Sequence, residues 1–493
     1  MPFSVTKHQY GLVILILIFA AAARILGSGD YPLWTDEGWS VWAAQSHVIE
    51  AVAEDRHPPL YFAALYLWRE AAGDSRVALR FLSVVAGMIS VAAVYRIGAD
   101  VYHQRAGIFA ALGMAALSAA IYYAQEVRHY GWFTLFTALS WMFLIRCFKR
   151  PSRATWTAYA LAVAAMFYTL YFAIFTLAAQ GIALLIVHTP IRRKFAVFAA
   201  WIAAGILYLP WVYIIFTQQA SELQTGIAGF PGTLRTPDDL LPMLNILLGT
   251  PLIAIIAIIA LIVHLWRAHS PSRALRLVPL IGSVGLFIVL LVLSEQFQFI
   301  APRTLIFLAP LAMVTLGAGI ATLGDVWGFI AARLVNPRAA PAHAAAAGFV
   351  VIALWIMLQD VEPSAIHNRL PADQAVAAVA DLYQPGDLIV IEAGWDDNAI
   401  AYEFAQALPG ANIVRTIPYT NYRIGANVVD ELAPEIEAAR RIWVVQWLQA
   451  PALMTYLDGG GAGYQFIWAR DISAGDYGME FGAPFIAVRL YER

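Results

Sequence analysis

Apolar runs of about 20 residues recur along the first three-quarters of this 493-residue chain, and they leave it few ways to fold. As a helix, a run of that length crosses the roughly 30 Å hydrocarbon core of a bilayer. There every backbone polar group must be satisfied within the segment. Eleven runs read as spans, at about residues 9–28, 77–97, 106–124, 130–147, 154–169, 171–188, 195–216, 246–264, 277–293, 303–322 and 344–360. Composition agrees, since 61% hydrophobic and 13% charged residues leave too little polar surface to cover a soluble globule. A net charge of -2 gives no basic excess for neutralising phosphates, so no nucleic-acid partner is expected. The single cysteine, Cys147, excludes an intrachain disulfide and a cysteine-built metal cluster.

Loop charge orients the spans. Basic connections hold Arg96 and Arg105, then Arg146, Lys149, Arg150 and Arg153, then Arg192, Arg193 and Lys194, then Arg267, Arg273 and Arg276, then Arg333 and Arg338. They alternate with poorly basic ones, and the positive-inside rule makes them cytoplasmic. Lys7 places the N-terminus on the same side, so eleven spans leave the C-terminus outside. The first outer loop, residues 29–75, carries eight acids and two arginines. A cleaved signal peptide ending near Ala21, Ala22 and Ala23 is the alternative for the first span and leaves the remaining topology unchanged. Beyond residue 360, DQAVAAVADLY reads as a helix, and DLIVIEAG, ANIVRTI, RIWVVQW and FIAVRLYE read as strands. The expected architecture is an α-helical polytopic membrane domain over residues 1–360 and a small extracytoplasmic α/β domain over 361–493.

The outer loops hold the chemistry. Asp36 and Glu37 stand among Trp34, Trp39 and Trp42, where solvated acids would normally have polar neighbours. The same loop continues to EDRHPPLYFAALYLWRE, with His57 before a run too short to span, which reads as an interfacial helix opened by Pro58 and Pro59. The next outer turn, YYAQEVRHYGW, supplies Glu126, Arg128 and His129, and SEQFQFIAPR supplies Glu295 and Arg303. Ionisable residues at such depths are costly unless they face a polar cavity, so three clusters on one side suggest one shared outward-facing site. Taken singly, each has a plainer reading. Asp36 could cap a helix beginning at Glu37 above an aromatic belt, His57 could be an exposed interfacial side chain, and Arg128 or Arg303 could snorkel to headgroups. Away from these loops, LDGGGAGY lacks the Lys and Ser/Thr of a phosphate loop and reads as a turn. In GWDDN, Asp396 or Asp397 reads as a helix N-cap or as an acceptor contact at the carboxyl end of a sheet.

In order along the chain, WTDEGW, HPPLYF and YAQEVRHY resemble the motifs of the GT-C superfamily of membrane glycosyltransferases. The resemblance is to the branch of the protein O-mannosyltransferases and lipid A aminoarabinose transferases, and as architecture it covers roughly residues 1–360. It implies a polyprenyl-phosphate-linked sugar donor and a protein, lipid or polysaccharide acceptor, in the plasma membrane. A sugar on a lipid phosphate already has a good leaving group, so one base for the acceptor hydroxyl and cations for the departing phosphate suffice. The resemblance puts the base on Asp36. Glu37 points about 100° away on a helix and would orient Arg128, His57 or a loop amide. It leaves His57, Glu126, Arg128 and Arg303 to bind substrate, and direct displacement inverts the anomeric centre. Some relatives bind a divalent cation, but with two arginines serving the phosphate no metal is obligatory here.

A transporter or flippase for lipid-linked sugars is the competing class. Such proteins show paired inverted repeats and helices broken by Gly or Pro near the midplane, and neither pattern is evident. The topology yields a first prediction. Single cysteines placed at Ser46 and Ser473 will react with an impermeant reagent in intact cells, and one at Ser152 will not. Labelling confined to Ser152 would reverse the orientation.

Overall fold

The computed structural model describes residues 7–55, 57–219, 240–267, 273–297, 302–334, 340–359, 370–394, 397–416, 428–447, 452–474 and 485–493. The chain divides into two compact units. One comprises Met1–Leu26, Val52–Ala64 and Arg80–Pro363, and the other Gly27–Ala51, Leu65–Leu79 and Ser364–Arg493. Hydropathy alone puts a single boundary near residue 360, with the first outer loop in the membrane region. By packing, two segments of that loop fold with the C-terminal residues.

Among the described residues, six helices are long and apolar enough to cross a membrane: Arg76–Val101, Tyr130–Lys149, Ile191–Gln219, Arg273–Leu293, Arg303–Leu334 and Ala340–Met357. Three shorter apolar helices, Tyr10–Ile25, Ala173–Ile186 and Pro251–Trp266, coincide with further expected spans. The expected span at 154–169 is a helix of 15 residues, Arg153–Phe167. The expected span at 106–124 is not one helix. It runs as Gln104–Ala116, turns at Leu117 with φ -62° and ψ 116°, and resumes as Ser118–Tyr122.

No Pro or Gly causes that break, and its backbone groups are satisfied by partners distant in sequence. The last carbonyls of a helix have no intrahelical donor. Here Gly113 O accepts from Leu117 N, Met114 O and Ala115 O accept from the Arg24 guanidinium at 2.9 and 3.0 Å, and Ala116 O accepts from Gln359 Nε2 at 3.2 Å. Gln359 Oε1 in turn accepts from both the amide and the hydroxyl of Ser118, each at 3.1 Å, and so starts the next helix.

The most deeply buried of the six long helices, Arg303–Leu334, is the centre of the first unit. Its neighbours approach at glycines. A Cβ on Gly317 would lie 2.4 Å from Ala110 N, and one on Gly319 would lie 2.2 Å from Ala257 O. Small residues at such crossings let helix backbones meet where lipid offers no hydrophobic drive for association.

The second unit is built on a five-stranded sheet, β1 (Leu388–Glu392), β2 (Asn412–Arg415), β3 (Arg441–Gln446), β4 (Gln465–Ser473) and β5 (Phe485–Glu492), in the order β2-β1-β3-β5-β4. β1 pairs parallel with β2 and β3, whereas β5 pairs antiparallel with β3 and β4. All five residues of β1 are buried, as expected for a parallel strand covered on both faces. Ile389 and Ile391 pack with Trp443, Val445 and Phe404 on one side, and Leu388 and Val390 with Ile442, Val444 and Tyr491 on the other. β1, β2, β3 and β5 are the four strands expected from sequence, whereas β4 is largely exposed and carries no buried alternation to mark it. LDGGGAGY is a turn, with Gly460 and Gly463 at φ +79° and +80°.

Overpacking tests the glycine crossing. Gly317→Val will lower the stability of the detergent-solubilised protein by about 1–3 kcal/mol. Gly11→Ala, whose new methyl would meet nothing within 4 Å, will leave the thermal unfolding curve unchanged.

Candidate active site

The two groups of sequence-selected residues fall in different units, and each has its own geometry. In the second unit, Asp36 and Glu37 lie on the helix Thr35–Ala43, the first turn of which contains both acids. That helix begins at Thr35, with Trp34 as its N-cap, so Asp36 is not the cap of a helix starting at Glu37. The roughly 100° turn between neighbours separates the two carboxylates. Glu37 is fully buried and accepts the Trp34 amide at 3.4 Å on Oε2, whereas Asp36 is half-buried. Carboxylates in a first helical turn are also favoured by the helix dipole. Trp39 is buried, and Trp34 and Trp42 are half-buried, so Trp39 packs inside the protein rather than in an exposed aromatic belt.

In the first unit, the irregular segment 123–129 joins the helices Ser118–Tyr122 and Tyr130–Lys149 and carries Glu126, Arg128 and His129, all buried. Arg128 does not snorkel. Its Nη2 lies 3.1 Å from His57 Nε2, and its guanidinium sits 5.7 Å from the centre of the Tyr130 ring. A guanidinium can only donate, so His57 Nε2 is the acceptor and the ring proton is on Nδ1. That nitrogen lies 3.3 Å from Asp55 Oδ2. His57 is therefore half-buried between a carboxylate and a guanidinium, rather than an exposed interfacial side chain. The His129 ring lies 5.0 Å from that of His57, and burial holds its pKa well below the usual imidazole range, aided by the charges of Arg128 and Arg303. Arg303, half-buried near the start of the longest span, is thus brought within electrostatic reach of this segment. Glu126 acts on Tyr123, the phenol of which is raised first by burial and then by that carboxylate. The side chain of Glu295 and the whole of Asp396 lie outside the described residues.

The YYAQEVRHYGW motif marks His129 without giving it a role, whereas Asp55 carries no signal in the sequence beyond its adjacency to His57. In the second unit, Asp397 is the first residue of the helix Asp397–Ala407 and is fully buried. Burial pushes its carboxyl up to about 7 against the pull of Arg415, 3.9 Å away. Among the described residues, no group of three or more His, Cys, Asp or Glu side chains is placed to hold a metal ion.

Residues 56–216 match the family model described as dolichyl-phosphate-mannose-protein mannosyltransferase. The match takes in His57, Glu126 and Arg128, but neither the acidic pair nor Arg303. No curated protein matches the chain. Solved structures match it along its length. ArnT from Cupriavidus metallidurans in the apo state is 12% identical, with 98% of each chain covered and a TM-score of 0.61. The same protein bound to undecaprenyl phosphate gives 12% identity, 97% and 98% coverage and a TM-score of 0.57. This is the GT-C fold. A further GT-C match, the archaeal oligosaccharyltransferase AglB from Archaeoglobus fulgidus, is 10% identical with a TM-score of 0.56, over 89% of this chain and 69% of AglB. The arabinofuranosyltransferase AftD from Mycobacteria is 15% identical with a TM-score of 0.53, and the chain spans 40% of its length. The expected resemblance to the ArnT and protein-mannosyltransferase branch of the GT-C superfamily therefore holds in both a sequence segment and the fold.

Pairing of Arg128 with His57 in the first unit is testable without activity. His57→Phe removes the acceptor and leaves a buried guanidinium donor short of a partner, which will cost about 1–3 kcal/mol of stability in detergent. His57→Gln offers an amide oxygen and will recover part of that loss.

Proposed function

We propose that this chain transfers a sugar from a polyprenyl-phosphate carrier to a hydroxyl acceptor on the outer face of the plasma membrane, with inversion at the anomeric carbon. The end-to-end likeness to ArnT, a protein also solved with undecaprenyl phosphate bound, carries the reading. AglB, solved with an inhibitory peptide and a dolichol-phosphate, adds support for a lipid-linked donor. The acceptor is a protein, lipid or polysaccharide hydroxyl, and membrane lipid surrounds the donor chain.

The acceptor oxygen attacks the anomeric carbon as the bond from that carbon to the phosphate oxygen breaks. The hydroxyl proton passes to Asp36, and the electron pair of the broken bond leaves with the polyprenyl phosphate. Asp36 suits the base because its half-buried carboxylate is turned away from the packed Glu37. Arg128 and Arg303 carry the charge that develops on the phosphate, a task that a planar guanidinium fork performs well. His57 and Glu126 orient Arg128 and the sugar. Attack opposite the leaving group inverts the centre, as in inverting glycosidases. No metal is obligatory in this scheme, since one base and two cations supply what the displacement needs.

Transfer from radiolabelled polyprenyl-phosphate sugars, in membranes with and without the protein, tests the reading. Asp36→Asn keeps the shape of the side chain but cannot take the proton, and will lower turnover by about 10²-fold to 10⁴-fold while donor binding persists. Arg303→Ala and Arg128→Ala will raise the donor concentration needed for half-maximal rate, with Lys rescuing only in part. Sugar incorporation that does not depend on the protein would remove the enzyme reading, and full activity of Asp36→Asn would move the base to another residue.

A further inference from the structure

The helix Asp397–Ala407 lies some 360 residues from the acidic pair, yet within the second unit it holds the segment that carries it. Glu403 is only 4% exposed. Its Oε1 accepts the Leu33 amide at 2.8 Å, two residues before the helix Thr35–Ala43 begins. The same carboxylate accepts from Arg76, with Nε at 3.2 and 3.1 Å from the two oxygens and Nη2 at 2.5 Å from Oε2. A buried carboxylate is tolerated only when paired and hydrogen-bonded, and here one guanidinium fork and one amide meet that demand. Ala399 and Tyr402, four residues and one residue earlier, complete the grip. A Cβ on Gly38 would fall 2.4 Å from Ala399 N, so the helix carrying Asp36 lies directly on this one, and Tyr402 donates to Asp74 O at 2.6 Å. Positions 399, 402 and 403 share one helical face.

We propose that Glu403 is a positioning residue for Asp36, so that the C-terminal region acts in catalysis by fixing where the base stands. The proposal rests on the reading of Asp36 as base. Asp36 lies between two fixed points on its own strand of chain, Leu33 and Gly38, and both are fixed to the one helix. Release of the first lets the opening turn of the acidic helix shift. A shift of about 1 Å at a catalytic group is enough to cost roughly 10²-fold in rate.

Glu403→Gln keeps an acceptor for Leu33 but aims an amide donor or a neutral oxygen at Arg76, and the test is a double-mutant cycle on the full-length protein in proteoliposomes. Turnover will fall about 10-fold to 100-fold in Glu403→Gln, with the donor concentration for half-maximal rate changed less than about twofold. In the Asp36→Asn background the same change will cost little further, because the two act through one group. Hydrogen exchange of the amides from Leu33 to Ala43 will rise, and that of β1 and β3 will stay as it was. Gly38→Ala, which lifts the helix from Ala399 without touching a charge, will reproduce the turnover loss and serves where Glu403→Gln fails to fold. Additive losses in the cycle, or faster exchange in β1 and β3 as well, would overturn the proposal in favour of general destabilisation. Unchanged exchange at Leu33–Ala43 would overturn the clamp itself. Should Asp36→Asn keep full activity, the base assignment fails, and the exchange measurement still decides whether Glu403 holds the helix.

Discussion

A guanidinium buried among carbonyls sets the geometry of the membrane unit. Arg24 is fully buried, and its donors reach Ala20 O in its own helix and Met114 O and Ala115 O at the end of another. Those two carbonyls are free to accept because the helix stops at Ala116, and the stop is tolerable because Arg24 and Gln359 supply donors. The consequences reach the candidate site. Chain emerging from the break runs through Ser118–Tyr122 directly into segment 123–129, and Gln125 Nε2 donates to Arg24 O and Leu26 O at 3.1 and 2.9 Å. The end of the first helix is thus tied at two places to the segment that presents Glu126, Arg128 and His129.

That arrangement explains which parts of the fold were legible in the sequence. Long apolar runs state their own length, so Arg76–Val101, Tyr130–Lys149 and Ala340–Met357 lie close to where hydropathy puts them. The break at Leu117 is invisible to the same reading because nothing local causes it: its donors sit about 90 and 240 residues away in sequence. The arginine that makes the break possible reads as an ordinary end to an anchor helix. β1 and β3 announce themselves through runs of buried β-branched residues. β4 does not, because one pairing with β5 and little burial define it. The membership of the first outer loop was hidden for a third reason. Gly27–Ala51 and Leu65–Leu79 join the C-terminal unit through particular side chains such as Arg76 and Glu403, and pairings across more than 300 residues leave no periodic trace.

Within the candidate site, residue types were legible and partners were not. His57 and Arg128 stand out as polar residues beside apolar runs, and the structure joins them at 3.1 Å. His129 is as visible, and Asp55 is not, but both acquire meaning only once His57 is placed between a carboxylate and a second imidazole. Arg24 and Arg128 make the contrast plain. Both are buried arginines at the ends of apolar segments, and only their partners separate a fold-making guanidinium from a candidate for chemistry. Carbonyl oxygens keep their acceptor strength at every working pH, whereas a histidine acceptor can be lost by protonation.

The acidic pair combines both kinds of legibility. Adjacent carboxylates on a helix cannot share a direction, so fixing one fixes the other. Glu37, Gly38, Trp39 and Ser40 are all buried, which commits the following turn of the helix to packing and leaves Asp36 with the half-exposed direction. Burying Glu37 costs desolvation that the Trp34 amide offsets in part, and Gly38 admits the backbone of Ala399 where any larger residue would collide. Of the tryptophans around the pair, Trp39 serves packing: it is inside, and its burial helps to set the face from which Asp36 is excluded. The direction of the Asp36 carboxylate is thus set by neighbours that are themselves packed inside the protein.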